Sequence, residues 1–218
     1  MIFHDIWLDV QAVKERDPAA RNSLEVLLLY QGVHALIFHR FAHFFYKKKR
    51  YFIARLISQI ARKWTLIEIH PGAQLGHGIL IDHGAGVVIG ETAVVGDNCT
   101  IYQGVTLGVG TNKGKRHPTL GKNVTVGCGA KILGAFEVGD NCKIAANAVL
   151  LKGIESDVTA AGIPARPVRV AGVAVPKEIN IDFTQMQLEI DLLAKRVEEL
   201  EKNAPNAQQK KEKNEPNE

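Results

Sequence analysis

From Ile69 onward the chain repeats itself every six residues, and that period constrains the fold more than any other feature of the sequence. Aliphatic residues stand at Ile69, Leu75 and Ile81, then after a jump of eight at Ile89, Val95, Ile101 and Leu107. After a jump of thirteen they resume at Leu120, Val126, Ile132, Val138, Ile144 and Leu150. Glycine stands beside the beat at 76, 90, 96, 108, 121, 127 and 139. A helix repeats near 3.6 residues and a strand at 2, so neither generates this spacing. A six-residue period sustained this long is the pattern of a hexapeptide β-helix, in which each six-mer supplies one short face and one corner of a prism. The aliphatic points inward onto its equivalents in neighbouring coils, and small residues or glycine fill the tight corners.

The flanks follow other rules. Residues 1–66 are expected to be helical: Ile6, Val10 and Val13 fall at helical spacing, and Asp17-Pro18 marks a break because the residue before proline is pushed out of the helical region. Ser23 to Phe45 and Tyr51 to Trp64 each repeat apolar residues three and four apart. The prism is expected over 67–170. In 171–201, Met186, Ile190, Leu193, Val197 and Leu200 step by 4, 3, 4 and 3, a coiled-coil-like seam. The polar, proline-punctuated residues 202–218 are expected to be disordered.

Composition removes several classes of function. The net charge of +4 is concentrated in short runs such as Lys47–Arg50, with no basic stripe interleaved with aromatics, so nucleic acid is not the expected partner. Three cysteines, Cys99, Cys128 and Cys142, form neither a disulfide framework nor a paired metal motif, which suits a reducing compartment. The N-terminus has no signal-peptide pattern, and the most apolar window, 26–46, is interrupted by Gln31, His34, His39, Arg40 and His43. The expected location is the cytoplasm, without a membrane span.

Both breaks in the repeat contain histidine. Asp82-His83-Gly84 precedes a slip of two residues, and Arg116-His117-Pro118 lies in the thirteen-residue gap. Glu68 precedes His83 by fifteen residues, about one coil of three six-mers once the slip is allowed for. A carboxylate there can accept the Nδ1 proton of His83, leaving the other ring nitrogen to take a proton from a hydroxyl. Such a base activates a weak nucleophile supplied by the substrate toward a bound acyl group. The guanidinium of Arg116 is suited to a ligand carboxylate. His70 and His77 read as structural, the three cysteines as packing residues, and no histidine set has metal-ligand regularity.

The runs EIHPGAQLGHGILIDHGAGVVIGETAVVGDNCTIYQGVTLG, GKRHPTLGKNVTVGCGAKILG and AAGIPARPV, with DVQAVKERDPAA near the start, resemble the bacterial serine O-acetyltransferases over roughly residues 5–170. The resemblance implies a left-handed parallel β-helix, homotrimers with active sites between subunits, and in many members dimers of trimers joined through the N-terminal helices. It implies acetyl transfer from acetyl-CoA to the hydroxyl of L-serine in cysteine biosynthesis, with acetyl-CoA as co-substrate and no metal or tightly bound cofactor. L-Cysteine is a feedback inhibitor at the serine site in many members. His83 would be the general base and Glu68 its acidic partner, where other members often have Asp. Asp17 and Asp82 would hold the serine ammonium, and Arg116 and His117 its carboxylate. CoA would run past Gly108, Cys128 and Ala146 toward Arg166.

The chain departs from the family pattern in three places. Its loop LGVGTNKGKRHP lacks the paired glycines of many members, and its helical region is shorter than in long members, which favours a trimer. Some members insert a C-terminal Ile into O-acetylserine sulfhydrylase; this sequence ends NEPNE, so that complex is not expected. The competing expectations are another hexapeptide acetyltransferase acting on a sugar or small acceptor, a γ-carbonic-anhydrase-like metalloprotein, and a non-catalytic trimeric scaffold.

Overall fold

The structure, a computed structural model, describes residues 2–109, 114–175 and 183–203. The chain divides into two compact units, Met1–Pro176 and Lys177–Glu218.

The first unit opens with four helices, α1 (Ile2–Arg16), α2 (Ser23–Leu29), α3 (Gln31–Lys47) and α4 (Tyr51–Thr65). Helix α1 stops just before Asp17-Pro18, and α2 starts where the Asn22 side chain accepts the Glu25 N–H at 2.9 Å. The apolar window 26–46, expected to hold a helix pair, divides at Tyr30, which is extended, with φ −90° and ψ 110°. The cause is tertiary. A Cβ on Gly32 would lie 2.1 Å from the Ile81 carbonyl oxygen, so only glycine lets the start of α3 seat against the prism there. Val10, Val13, Val26, Val33 and Leu80 form the small core beneath this contact. A buried ion pair pins the same junction: Arg40 donates to Asp9 at 2.8 Å and to the Gly76 carbonyl at 2.6 Å, while Asp9 accepts the Ile79 N–H at 3.0 Å.

The prism then winds in coils of three short strands. The first holds β1 (Glu68–Ile69), β2 (Gln74–Leu75) and β3 (Leu80–Asp82); the second holds β4 (Val88–Ile89), β5 (Val94–Val95) and β6 (Thr100–Tyr102). The third holds β7 (Thr106–Gly108), β8 (Thr119–Leu120) and β9 (Thr125–Val126). The fourth holds β10 (Lys131–Leu133), β11 (Glu137–Val138) and β12 (Lys143–Ile144). After β13 (Val149–Leu150), β14 (Val158–Gly162) extends the β3 face, which closes with the antiparallel strands β15 (Ala165–Val170) and β16 (Val173–Ala174).

Through the four coils each face stacks strands three apart in order as parallel neighbours, so the fold is a three-faced parallel β-solenoid with terminal helices. Of the thirteen aliphatics on the six-residue beat, all but Leu75 are buried. Each, like the fully buried Ile101, contributes about 1.5–3 kcal/mol by leaving water. The register exposes the breaks. Val88 pairs with Thr106 and Lys131 with Val149, steps of 18 residues, but Glu68 pairs with Val88 across 20 and Thr106 with Lys131 across 25. The two irregularities in the sequence are therefore one corner with two extra residues and one corner with an inserted loop.

The second unit contains α5 (Phe183–Asn203). Residues 204–218, most of the stretch expected to be disordered, lie outside the described residues, as does the loop segment 110–113.

Candidate active site

The corner with two extra residues is the turn after β3. His83 takes φ 56°, unusual for a side chain with a Cβ, and Gly84 and Gly86 follow at φ 43° and 76°. The turn closes on itself through Gly84 N–H to the Asp82 carbonyl at 2.7 Å. This geometry swings the imidazole off the regular face and leaves its side chain 75% exposed. Its neighbouring charge is Asp82, 3.8 Å from Nε2, beyond hydrogen-bond length. The Gln31 side chain at the start of α3 donates to the His83 carbonyl and fixes the turn from the helical side.

Tyr30, the residue before Gln31, holds an acid near this turn. The Tyr30 hydroxyl donates to Asp17 at 2.9 Å. Desolvation, then the bond to Asp17 and the charges of Asp17, Glu25 and Asp82, push that phenol up to about 12, so it remains a donor. The break between α2 and α3 thus has a use: Tyr30, at the break, holds the Asp17 carboxylate.

Successive coils place equivalent residues along the same edge. Ile81, Ile101, Val126, Ile144 and Ala160 are register partners, so His83, Gln103, Cys128, Ala146 and Gly162, each two residues further on, form one column. Backbone bonds confirm the stacking, with Gly129 N–H to the Gln103 carbonyl and Asn147 N–H to the Cys128 carbonyl, both at 2.8 Å. At the far end Arg166 pairs with Ala161 across the terminal hairpin and lines a cavity of about 740 Å³ with Leu150, Leu151, Ile154 and Pro164.

The corner with the inserted loop is a different edge. There Arg116 and His117 sit over Glu91 and Thr92 of the coil below. Arg116 donates to Glu91 at 2.7 Å, and Tyr46 donates to the same carboxylate at 3.0 Å. The bond from Tyr46, together with His70 and Arg116, holds the Glu91 carboxyl below its ordinary range. The Thr92 N–H donates to His117 Nδ1 at 3.1 Å, so the neutral ring carries its proton on Nε2. Desolvation, then the charge of Arg116, lowers the His117 pKa and favours that neutral form. A Cβ on Gly90 would fall 1.9 Å from His117 Nε2, so glycine is required beneath the ring.

A family model described as "Serine acetyltransferase, N-terminal" matches residues 1–37, "Hexapeptide repeat of succinyl-transferase" matches 86–110 and "Bacterial transferase hexapeptide (six repeats)" matches 117–152. The serine acetyltransferase of Helicobacter pylori strain 26695 is 58% identical over 75% of this chain and 96% of its own. That of Synechococcus elongatus is 50% identical over 92% of this chain and 83% of its own. The chain belongs to the serine acetyltransferase family. Among solved structures, the Neisseria gonorrhoeae serine acetyltransferase in complex with serine is 39% identical with a TM-score of 0.75, over 77% of this chain and 69% of that one. The Brucella abortus enzyme in complex with coenzyme A is 45% identical with a TM-score of 0.75, over 76% of this chain and 67% of that one.

Within this serine acetyltransferase fold the expected site residues fall into two groups. Asp17, Asp82, His83, Cys128, Ala146 and Arg166 gather at or along one edge, whereas Arg116, His117 and Gly108 belong to the other. The expected hydrogen bond from His83 to Glu68 is not formed. The register puts Glu68 beneath Val88, five residues past His83, with its N–H bonded to the Val87 carbonyl at 2.9 Å. Its carboxylate, however, faces α4, where Arg62 and Arg55 lie at 3.3 and 3.4 Å. Arg116 likewise already has a carboxylate partner in Glu91. His70 and His77 have local partners, the Gly72 N–H at 3.0 Å and Asp97 at 3.1 Å. Cys99 and Cys142 are buried, their thiols pushed up by desolvation, and Cys128 is half-buried. Among the described residues no group of three or more His, Cys, Asp or Glu is placed to hold a metal ion, and no helix is long and apolar enough to cross a membrane.

Tyr30, Glu91, Thr92 and Gln103 were missed by sequence reasoning. Glu91 and Thr92 carried a usable signal: each precedes its partner by 25 residues, the length of the coil containing the loop. Tyr30 carried none, because no glycine or proline marks it as the point where the two helices divide.

Proposed function

We propose that this chain transfers the acetyl group of acetyl-CoA to the hydroxyl of L-serine, giving O-acetyl-L-serine and CoA. The observation that carries the reading is the His83 turn, which brings together an exposed imidazole, the neighbouring Asp82, the Tyr30–Asp17 pair at the start of α3, and a straight column of coil corners. His83 removes the seryl proton as the oxygen attacks the thioester carbonyl. The tetrahedral intermediate then collapses, the C–S bond breaks, and the proton passes to the departing CoA thiolate. General-base assistance of this kind is worth about 10²–10⁴-fold. Asp17 and Asp82 receive the serine ammonium. Arg116 receives the carboxylate, and the Nε2–H of His117 is a donor for it or for the developing oxyanion. Glu68 serves as the acidic partner of His83 once its carboxylate turns from Arg55 and Arg62.

The CoA arm runs along the edge from His83 past Cys128 and Ala146 to Arg166. Four steps of about 4.8 Å carry the edge from His83 to Gly162, about 19 Å, a length suited to an extended pantetheine chain, and one more reaches Arg166 on β15. Gly108, on the other edge, joins that path from a neighbouring chain. The reading therefore needs a homotrimer in which one chain's His83 edge meets the next chain's Arg116 edge. A dimer of such trimers would cover the exposed apolar side chains of α4, among them Phe52, Leu56 and Trp64. L-Cysteine is the expected competitor at the serine site. The location is cytoplasmic.

The decisive assay measures CoA release with serine, homoserine, sugars and amines as acceptors. Turnover with a sugar and none with serine would assign the chain to a different acceptor. Stoichiometric zinc with CO₂ hydration would make it a metalloenzyme. His83→Ala is expected to abolish turnover while circular dichroism and oligomeric mass stay unchanged; joint loss of folding and activity would favour a scaffold role.

A further inference from the structure

Arg116 is held at two points. Its backbone N–H, and that of His117, donate to Thr92 Oγ1 at 3.0 and 3.1 Å, which fixes the main chain over the coil below. The guanidinium is aimed separately. Its Nη2 donates to Glu91 Oε2 at 2.7 Å, the one hydrogen bond of this side chain among the described residues. The other oxygen of that carboxylate, Oε1, accepts the Tyr46 hydroxyl at 3.0 Å, from the C-terminal end of α3. Tyr46 is built into this place. Its ring meets Tyr51 and His70 edge-on, with centroids 5.1 and 5.9 Å apart. A Cβ on Gly72 would come within 3.0 Å of Tyr46 Cζ and 3.1 Å of Glu91 Cγ, so the glycine gives the pair its room. Beside them a cavity of about 390 Å³, lined also by Arg55 and Pro71, would let an unheld carboxylate turn.

A carboxylate beside an arginine favours two parallel N–H···O bonds to the guanidinium fork. Glu91 makes one. We propose that Tyr46 is a positioning residue for the acceptor: by engaging one oxygen of Glu91, it restricts that acid to a single bond with Arg116 and leaves the remaining guanidinium donors open to a substrate carboxylate. This role rests on the reading of Arg116 as the receiver of the serine carboxylate. The protonation states agree with it. The bond from Tyr46 is the foremost cause holding the Glu91 carboxyl below its ordinary range. Burial, then that bond and the charge of Glu91, push the Tyr46 phenol up. Glu91 therefore stays ionised and Tyr46 stays a donor. A phenylalanine at position 46 keeps the ring contacts but frees Oε1. The acid can then close on the fork and compete with the substrate for the same donors.

The test is steady-state kinetics on the full-length chain, with each substrate varied in turn. Tyr46→Phe should raise the KM for serine by roughly tenfold or more, the worth of one bond to a charged group, while kcat and the KM for acetyl-CoA change little. Tyr46→Phe combined with Glu91→Gln should match Glu91→Gln alone, because the hydroxyl acts only through that carboxylate. An unchanged serine KM in Tyr46→Phe would overturn the role. So would a parallel loss in kcat and both KM values, the mark of a merely structural residue, or losses that multiply in the double variant. Arg116→Lys, which keeps the charge and removes the fork, separates this role from the wider reading. If Arg116→Lys raises the serine KM and Tyr46→Phe does not, Tyr46 alone is removed from the site. If neither moves it, the assignment of Arg116 to the serine carboxylate falls as well.

Discussion

Tyr30 illustrates how much of a site can rest on a residue with no catalytic chemistry. Its hydroxyl spends its one proton on Asp17 and feels Asp82 as well, and with its pKa pushed up to about 12 it donates throughout any working pH range. Removing the hydroxyl leaves Asp17 held, among the described residues, by the Ala19 N–H alone, at 2.8 Å. A hydrogen bond to a charged group is worth about 1.5–3 kcal/mol, so Tyr30→Phe should raise the KM for serine by roughly tenfold or more. The kcat and the KM for acetyl-CoA should change little. Steady-state kinetics with each substrate varied in turn checks this, and an unchanged KM for serine would remove Tyr30 from the site. At this scale the sequence disclosed the residues that interrupt a period, His83 and Arg116, because a broken repeat marks itself. Tyr30 and Gln31 act through a contact between α3 and β3 that is remote in sequence, and the partners that occupy Glu68 and Arg116 within the chain are side-chain choices the repeat does not encode.

Between elements, the helices are fixed to the prism by polar groups that leave little freedom. Asp9 and Arg40 are both buried, and desolvation raises the Asp9 pKa against the opposing pull of Arg40. Arg40→Met strips that carboxylate of its counter-charge and should cost about 3–5 kcal/mol, read as a fall in the urea midpoint. His39 adds a pH dependence. It is buried with Nε2 bonded to the Ala73 carbonyl at 3.2 Å, and Nδ1 has no partner among the described residues. Burial, then the charge of His43, depresses its pKa from 6.5 to about 3. The unfolded chain therefore takes up a proton at a pH where the folded chain does not. The stabilising effect is complete above 6.5 and falls by about 1.4 kcal/mol per pH unit down toward 3. Denaturant unfolding at about pH 7 and about pH 5 should show a loss near 2 kcal/mol from this group, which His39→Gln should largely abolish. An equal loss in the variant would assign the effect to other groups. The coils themselves were legible, because each inward aliphatic states its own orientation. The helix break at Tyr30 was not, since no glycine or proline stands at the break itself and the α3 seat depends on Gly32 meeting β3.

For the molecule as a whole, the decisive fact is that the proposed serine contacts occupy two edges of one prism. His83, Asp82 and Asp17 are at the corner after β3, and Arg116 and His117 are at the corner after β7. A rigid parallel solenoid cannot fold these edges together, so a complete site requires a second chain to supply one of them. This gives a test that separates a shared site from a site within one chain. His83→Ala and Arg116→Ala should each be nearly inactive alone. When the two are co-expressed and assemble into mixed rings, some interfaces combine an intact His83 edge from one variant with an intact Arg116 edge from the other. With random cyclic assembly and equal expression, about one interface in four has both, so activity should return to roughly a quarter of wild type. Mixing the separately folded variants without subunit exchange should restore nothing. If co-expressed hybrids, verified by mass, stay at the level of the single variants, Arg116 and His83 do not serve the same site across an interface. The inserted loop would then have to be assigned a role on its own edge.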